Sequence, residues 1–491
     1  MVKLQVSFMK CSIKHILRSF VVAIFLSQVA SAEKPNIIVI LADDLGYGSV
    51  GSYGAAVVST PNIDRIAREG IRFTDASTPS SVCTPTRYGL MMGEYPWRQE
   101  IGLPITMAPM QLPANRPNIA SMLQSEGYAT GVVGKWHLGF GDEPVDWQNS
   151  LTPGPLERGF DYYFGFPINL NNPPVVYIEN HQLIHPEDPL DQNGKTGAKK
   201  SQVDLDTVTD VITGKAVAFI EKNKEEPFFL YFATHQVHIP IHPAPRFVGK
   251  SDAGIYGDFI EDCDWSVGQI LDTLDRLELS ENTLIFFTSD NGAIGWPATY
   301  KGEQTGGKDG DFGFFRNAPW SGFKFGTEQG GSRVPFVARW PGKIRPSSES
   351  DTLISLVDFY ATFRELLGQQ DDEQGIDSVS FLGHLIPGRK DGLAVRRSHT
   401  VYHAGKNSFL GIREKEWLLT FGGIPKHTIS GKTGESMPGR LYHLPSDPEE
   451  KRDVYEQYPE VVQRIKQEMQ DELAKKESPY RVSNGQIIEV D

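Results

Sequence analysis

Cys83 stands in the segment Cys83-Thr84-Pro85-Thr86-Arg87 of a 491-residue chain that holds three cysteines, the others being Cys11 and Cys263. So few and so scattered, they form neither a disulfide framework nor a Cys-x-x-Cys zinc cluster, which leaves Cys83 as a candidate for chemistry. Two pairs of oxygen donors, Asp43-Asp44 and Asp290-Asn291, each follow an apolar run. Carboxylate and amide oxygens are hard ligands, suited to Ca²⁺ or Mg²⁺ and not to a thiophilic metal. A third group is cationic or titratable: Lys135 and His137 in Gly134-Lys-Trp-His-Leu-Gly139, and His238 in His235-Gln-Val-His-Ile-Pro240. Fixed positive charge beside imidazoles is the mixture that binds a tetrahedral anion and moves protons. Each feature alone has a plainer reading, as a turn, a structural histidine or a core cysteine; it is their joint position that carries weight.

That position depends on the elements before them. Apolar runs at 36–41, 129–133, 227–232 and 284–288 read as strands buried on both faces. Between them lie helical patterns, one at 63–69 closed by Gly70, another marked by Phe259, Cys263, Val267, Ile270, Leu274 and Leu277. The alternation predicts an α/β sandwich around a mostly parallel sheet, with Cys263 on the apolar stripe of a helix and therefore in the core. Every candidate pair then lies at the carboxyl end of a strand, where open α/β sheets bind their ligands. Gly46 and Gly292 are expected to turn the chain there, so that neighbouring side chains enter one pocket. The last hundred residues carry shorter, more polar runs (Val401-Tyr-His403, Trp417-Leu-Leu-Thr420, Leu441-Tyr-His-Leu444) and a charged helix at 459–476, which predicts a smaller α+β subdomain over 391–491. Stretches 171–200 and 293–317, rich in Gly, Pro, Asn and Asp, read as long loops of the kind that carry specificity.

In this order, Asp43-Asp44, Cys83-x-Pro-x-Arg87, Gly134-Lys-Trp-His-Leu-Gly139, His238-x-Pro240, Ser289-Asp-Asn-Gly292 and Gly330-Gly-Ser-Arg-Val-Pro335 resemble the motifs of type I sulfatases, in particular the arylsulfatase A and N-acetylgalactosamine-6-sulfatase branch. Leu441-Tyr-His-Leu-Pro-Ser-Asp-Pro448 resembles the family's C-terminal subdomain, so the likeness runs from residue 34 to the end. It implies an alkaline-phosphatase-like sandwich over 33–390, a C-terminal α+β subdomain with an antiparallel sheet, and hydrolysis of a sulfate ester. It also implies that a formylglycine-generating enzyme oxidises Cys83, and that Asp43, Asp44, Asp290 and Asn291 bind one divalent metal, usually Ca²⁺, together with the modified Cys83. Arg87 and Lys135 would hold and polarise formylglycine, His137 would serve its hydroxyl, and His238 and Lys324 would contact the sulfate and the leaving group. Hydrated formylglycine has two hydroxyls: one can attack sulfur, and the other lets the resulting ester collapse and expel sulfate. Two positions depart from the family's pattern. Thr86 stands where serine is common, and in Lys324-Phe-Gly-Thr-Glu-Gln-Gly-Gly331 Gln329 takes the place usually held by glutamate, after Glu328 where an aromatic is common. The rival readings are a phosphatase, phosphodiesterase or phosphonate hydrolase of the same superfold, and a non-catalytic sulfated-glycan-binding protein with Cys83 unconverted.

Residues 1–32 carry Lys3, Lys10, Lys14 and Arg18, an apolar run at 20–26, and Ala30-Ser-Ala32, which together predict a cleaved export signal and a secreted or periplasmic product, or a lysosomal-type lumen in a eukaryote. The run is too short to span a bilayer, and no later segment reads as a span. The formal net charge of −14 argues against nucleic acid as a partner. The same charge repels a sulfated substrate, so a local cationic, metal-bearing pocket has to overcome the global field.

Overall fold

The apolar runs become strands whose two faces are both covered, and so they show no alternation of polar and apolar residues. The computed structural model describes residues 34–101, 108–142, 145–147, 149–188, 190, 199–295, 298–300, 303–305, 316–370, 373–386, 388, 396–404, 410–421, 439–475, 480–483 and 486–489. The expected export signal at 1–32 and the expected boundary between 390 and 391 lie outside the described residues, as do much of the loop at 293–317, part of that at 171–200, and Lys476.

The strands in chain order are Asn36–Ala42 (β1), Ile71–Phe73 (β2), Ala76–Ser77 (β3), Ala129–Lys135 (β4), Tyr162–Phe166 (β5), Ile178–Glu179 (β6), Gln182–Leu183 (β7), Phe228–Ala233 (β8), Thr283–Ser289 (β9), Ala298–Tyr300 (β10), Glu303–Thr305 (β11), Phe336–Arg339 (β12), Ser348–Ser350 (β13), Ile354–Ser355 (β14), His399–His403 (β15), Leu410–Glu414 (β16), Trp417–Thr420 (β17), Arg440–His443 (β18), Tyr480–Ser483 (β19) and Gln486–Glu489 (β20). Ten of them form one sheet in the order β13-β2-β12-β9-β1-β8-β4-β5-β6-β7. Its middle, β9-β1-β8-β4-β5, is parallel throughout. Towards the edges the sheet is mixed: β12 runs antiparallel to β9 and β2, and β6 and β7 close the other side antiparallel.

Within β1, Ile37, Val39 and Leu41 join one core with the helices Cys83–Met92, Ile119–Ser125 and Phe359–Leu366. Ile38, Ile40 and Ala42 join the opposite core with the helices Pro61–Arg68, Val208–Lys222 and Gly254–Arg276. This is the three-layer sandwich that the sequence predicts. Each fully buried Ile, Leu or Phe contributes about 1.5–3 kcal/mol, so the parallel middle is a stiff base for whatever its strand ends carry. Cys263 lies in the second core, fully buried, with Sγ 3.9 Å from Thr234 Oγ1, and burial pushes its thiol well up.

A separate antiparallel sheet, β15-β16-β17-β18, is covered by the helix Pro459–Ala474 through Val462, Ile465, Met469 and Leu473. Tyr95, Trp97 and Val357 belong to the same cluster and join this sheet to the large layer. Asn36–Asp491 forms one unit by its contacts.

Candidate active site

β1 and β9 are hydrogen-bonded neighbours in register through Ala42 and Ser289, so Asp43-Asp44 and Asp290-Asn291 leave the sheet side by side. Ser289 Oγ ties the two exits together, accepting from Leu45 N (2.9 Å) and donating to Asn291 O (2.9 Å). On the other flank of β1, Asp43 N donates to Gln236 O (2.7 Å) and Val237 N to Asp43 O (2.5 Å), which stitches the exit of β8 to the same place and brings in His238. Lys135 ends β4, one strand further along. The glycines are used differently from the sequence expectation. Neither Gly46 nor Gly292 has positive φ; the left-handed residue is Asp44 itself, at φ 63. A Cβ on Gly46 would lie 1.9 Å from Arg316 O, and one on Gly292 1.8 Å from Gly330 O. They serve close approach of backbone, not the turn.

Cys83 opens the helix Cys83–Met92, where Pro85 sits in the first turn and costs no intrahelical hydrogen bond; Gly93 at φ 64 ends the helix. Thr86 Oγ1 donates to Ser80 O at 2.9 Å, a bond that a serine hydroxyl could also make, so this departure leaves the helix start intact. One turn on, Arg87 reaches under Cys83. Its Nε and Nη2 donate to Asp290 Oδ2 (3.0 and 2.7 Å), and Nη1 donates to Lys135 O (2.9 Å). Lys135 Nζ meets Asp43 Oδ2 at 2.6 Å. Lys324 Nζ meets Asp44 Oδ1 at 2.6 Å and lies 3.9 Å from Cys83 Sγ. Asn291 Nδ2 also donates to Asp44 Oδ1 (2.7 Å), and His238 Nε2 lies 3.7 Å from Asp44 Oδ2. His137, two residues past Lys135, is buried with φ 58, and its N–H donates to Pro167 O. The structure thus gathers Asp43, Asp44, Cys83, Arg87, Lys135, His238, Asp290, Asn291 and Lys324 into one set of direct contacts.

Electrostatics follows from burial. Three carboxylates (Asp43, Asp44, Asp290) face three cations (Arg87, Lys135, Lys324), all essentially out of solvent. Burial works to raise the carboxyls of Asp43 and Asp44, yet Lys135 beside the first, Lys324 beside the second and His238 near both hold them below the usual range. Burial likewise works to strip Lys324 of its proton, but Asp44 and its anionic neighbours outweigh it and keep the ammonium. His238 is lowered by burial and by Lys324; with Nδ1 2.7 Å from Ile239 O, the tautomer protonated at Nδ1 is favoured and Nε2 faces the site. His235 is different: burial lowers it to about 3, and it packs edge-on against Phe166 and Phe259. The Cys83 thiol is raised by burial in spite of Lys135 and Lys324, which makes it a poor thiolate nucleophile as encoded.

The donor set fits a hard divalent cation. Asp43 Oδ1, Asp44 Oδ2 and Asn291 Oδ1 are buried oxygens with no hydrogen-bond partner, although the other oxygen of each carboxylate is engaged. Ligand atoms of Asp43, Asp44 and His238, and of Asp43, Cys83 and Asp290, lie within 4.8 Å of one another in each set. Buried oxygens left unpaired cost about 1–3 kcal/mol each, and a cation would recover that cost. Sequence reasoning did not single out Ser289 or Asn317. Asn317 Oδ1 accepts from Ala293 N and its Nδ2 donates to Gly322 O, linking the metal-side turn to the strand of chain that carries Lys324. Ser289 lay inside a recognised motif; Asn317 had no local signal.

The family model described as Sulfatase matches residues 35–369. The N-acetylgalactosamine-6-O-sulfatase of Bacteroides thetaiotaomicron is 36% identical over 481 residues, 89% of this chain and 92% of that one. Human N-acetylgalactosamine-6-sulfatase is 33% identical over 380 residues, 73% and 67% of the two chains. A solved Bacteroides thetaiotaomicron structure, described under the metabolism of multiple glycosaminoglycans, superposes with a TM-score of 0.81 at 35% identity, covering 90% of this chain and 99% of that one. Matched over most of its length in sequence and in fold, this chain belongs to the sulfatase family and is an enzyme that hydrolyses sulfate esters.

Proposed function

We propose that the protein is an exported sulfatase that releases inorganic sulfate from a sulfated carbohydrate, using Cys83 in its oxidised, formylglycine form and one divalent metal, Ca²⁺ in preference to Mg²⁺. The observation that carries the reading is the buried thiol itself: Cys83 begins a helix among Arg87, Lys135 and Lys324, raised away from thiolate character, so the encoded side chain is ill suited to attack sulfur where the site would need it to. Oxidised to an aldehyde and hydrated, the same position offers two hydroxyls, one to attack and one to release sulfate afterwards.

Asp43, Asp44, Asp290 and Asn291 would hold the metal, which supplies charge stabilisation for the sulfuryl oxygens and a lowered hydroxyl pKa when bound. The residues of the chain do the rest. Arg87, fixed by two bonds to Asp290, and Lys135 orient the nucleophilic side chain from below. His137 takes the proton of the second hydroxyl. Lys324, kept charged by Asp44, donates to the oxygen that departs as alcohol, while His238 turns an unprotonated Nε2 inward and donates there only after taking up a proton. The three buried carboxylates and three buried cations cancel, so a bound divalent ion makes the pocket positive, opposing the negative charge of the whole chain.

The choice of a carbohydrate rests on two similar proteins, which are named as N-acetylgalactosamine-6-sulfatases. Export rests on the composition of residues 1–32; among the described residues no helix is long and apolar enough to cross a membrane.

The test is mass spectrometry of the peptide spanning Cys83 from protein made beside a formylglycine-generating enzyme, paired with sulfate release from N-acetylgalactosamine 6-sulfate. An aldehyde at Cys83 and loss of activity by at least about 10⁴-fold in Cys83→Ala are expected. An active enzyme with an unmodified thiol would refute the formylglycine mechanism.

A further inference from the structure

The chain that carries Lys324 is held from outside its own layer. Phe325, at φ 72, donates its N–H to Ser81 O (3.1 Å), and Gly330 N donates to Ser321 O (2.6 Å), so the stretch closes on itself around Phe323–Gly331. Two further ties come from residues beyond the large sheet. Tyr402, on β15, donates its hydroxyl to Thr327 O, and the Glu450 carboxyl accepts from Gln329 N at 3.0 Å. Glu450 follows β18 in a turn in which its own backbone is left-handed, at φ 54, with its N–H bonded to Asp447 O (3.0 Å). Asp447 in turn accepts from Lys451 N and Arg452 N. A non-glycine residue in this region is uncommon, and here it turns the carboxyl inward until Glu450 is only 7% exposed.

The glutamine at 329 makes sense against this neighbour. Its backbone N–H serves Glu450, while its side-chain Oε1 accepts from Arg333 Nη1 at 2.6 Å. A glutamate at 329 would set a second carboxyl beside a buried one, with Glu328 next to both; the amide keeps the shape without the added charge. Burial pushes the Glu450 carboxyl up to about 8, so near neutral pH it is mostly the uncharged acid, and a glutamine there would keep the acceptor.

We propose that Glu450 is a positioning residue for Lys324: by accepting from Gln329 N it fixes the chain that holds the Lys324 ammonium beside Asp44 and Cys83. This rests on the reading of Lys324 as a group that serves the leaving alcohol. The C-terminal part of the chain thereby takes part in catalysis although no residue of it is placed against the substrate. A displaced Lys324 slows most those esters whose alcohol needs help to leave, because a nitrophenolate departs without a proton.

The experiment compares kcat and KM of Glu450→Ala, Glu450→Gln and Lys324→Ala, all in the converted full-length enzyme, on N-acetylgalactosamine 6-sulfate and on 4-nitrophenyl sulfate. Glu450→Ala should lose about 10- to 100-fold on the sugar sulfate, mainly in kcat, and at most about threefold on the aryl sulfate. Glu450→Gln should stay within about threefold of the parent on both, and Lys324→Ala should show the same leaving-group split as Glu450→Ala. Equal losses on both substrates, no loss, or a Glu450→Gln variant as impaired as Glu450→Ala would overturn the proposal. A Lys324→Ala variant without the split would instead sink the reading of Lys324, and the proposal with it. Should Glu450→Ala fail to fold, Glu450→Asp, one methylene short of Gln329 N, takes its place with the same expected split.

Discussion

Asp44 divides its carboxylate between two duties. Oδ1 takes both Lys324 Nζ and Asn291 Nδ2, while Oδ2, like Asp43 Oδ1, has no hydrogen-bond partner. A carboxylate that neutralises a lysine with one oxygen keeps the other for a metal, and the backbone of Asp44 accepts a left-handed conformation to aim it. Dialysis against a chelator is therefore expected to cut kcat/KM by at least about 100-fold and to lower Tm, with Ca²⁺ restoring both and Zn²⁺ neither. Rate and Tm both unchanged after chelation would exclude the metal from the mechanism. The acidic pairs were legible because each follows a buried strand directly, and a strand end fixes where its next two residues can go; Lys135 ends its own strand, and His137 and His238 lie in the short segments that follow β4 and β8. Asn317 and Glu450 were not: Asn317 bridges the backbone of Ala293 and Gly322 on either side of it, Glu450 acts on backbone 121 residues earlier, and nothing in their local spacing announces either contact. The glycines were legible as glycines, but their reason was not: close approach to Arg316 O or Gly330 O exists only once the chain is folded.

The parallel strands β1, β4, β8 and β9 could be read from sequence because burial on both faces forces unbroken apolarity. Strands β2, β6, β7 and β13 could not, being two or three residues long and only partly covered, so that pairing partners and not composition define them. The helix Pro459–Ala474 shows how one element is fastened to the rest. Its Glu472 accepts from Arg98 Nη2 (3.3 Å) and pairs with His399 Nε2 (3.0 Å) at the start of β15, with Lys475 on the same carboxylate. Burial works against ionisation, but His399 and Lys475 outweigh it and hold Glu472 down at about 2. A carboxyl depressed on folding contributes stability above its unfolded value near 4.5, and that contribution is lost as pH falls toward 2. The difference in unfolding free energy between the parent and Glu472→Gln should therefore shrink by about 2 kcal/mol between pH 5 and pH 3, read by denaturant melts. A difference independent of pH would show that Glu472 is held by packing alone.

At the scale of the molecule, the site draws on both ends of the chain's core. Asp43, Asp44, Cys83, Arg87 and Lys135 come early; Asp290, Asn291 and Lys324 come late, and Arg87 pairs with a carboxylate 203 residues downstream. In the folded protein Cys83 has no exposed surface. No enzyme can grip a side chain in that position, so the proposed oxidation has to happen before folding is complete. Folded protein that carries the thiol should stay unmodified when given the converting enzyme, while a free peptide spanning residues 79–93 is oxidised; conversion of both would mean that the helix opens in the native state. Synthesis sets the interval. At about 5–20 residues per second, roughly 10–40 seconds separate the emergence of Cys83 from that of Asp290. On the proposed mechanism catalytic competence is decided by a race during biosynthesis, and a chain that folds first would be a well-formed protein that never becomes active.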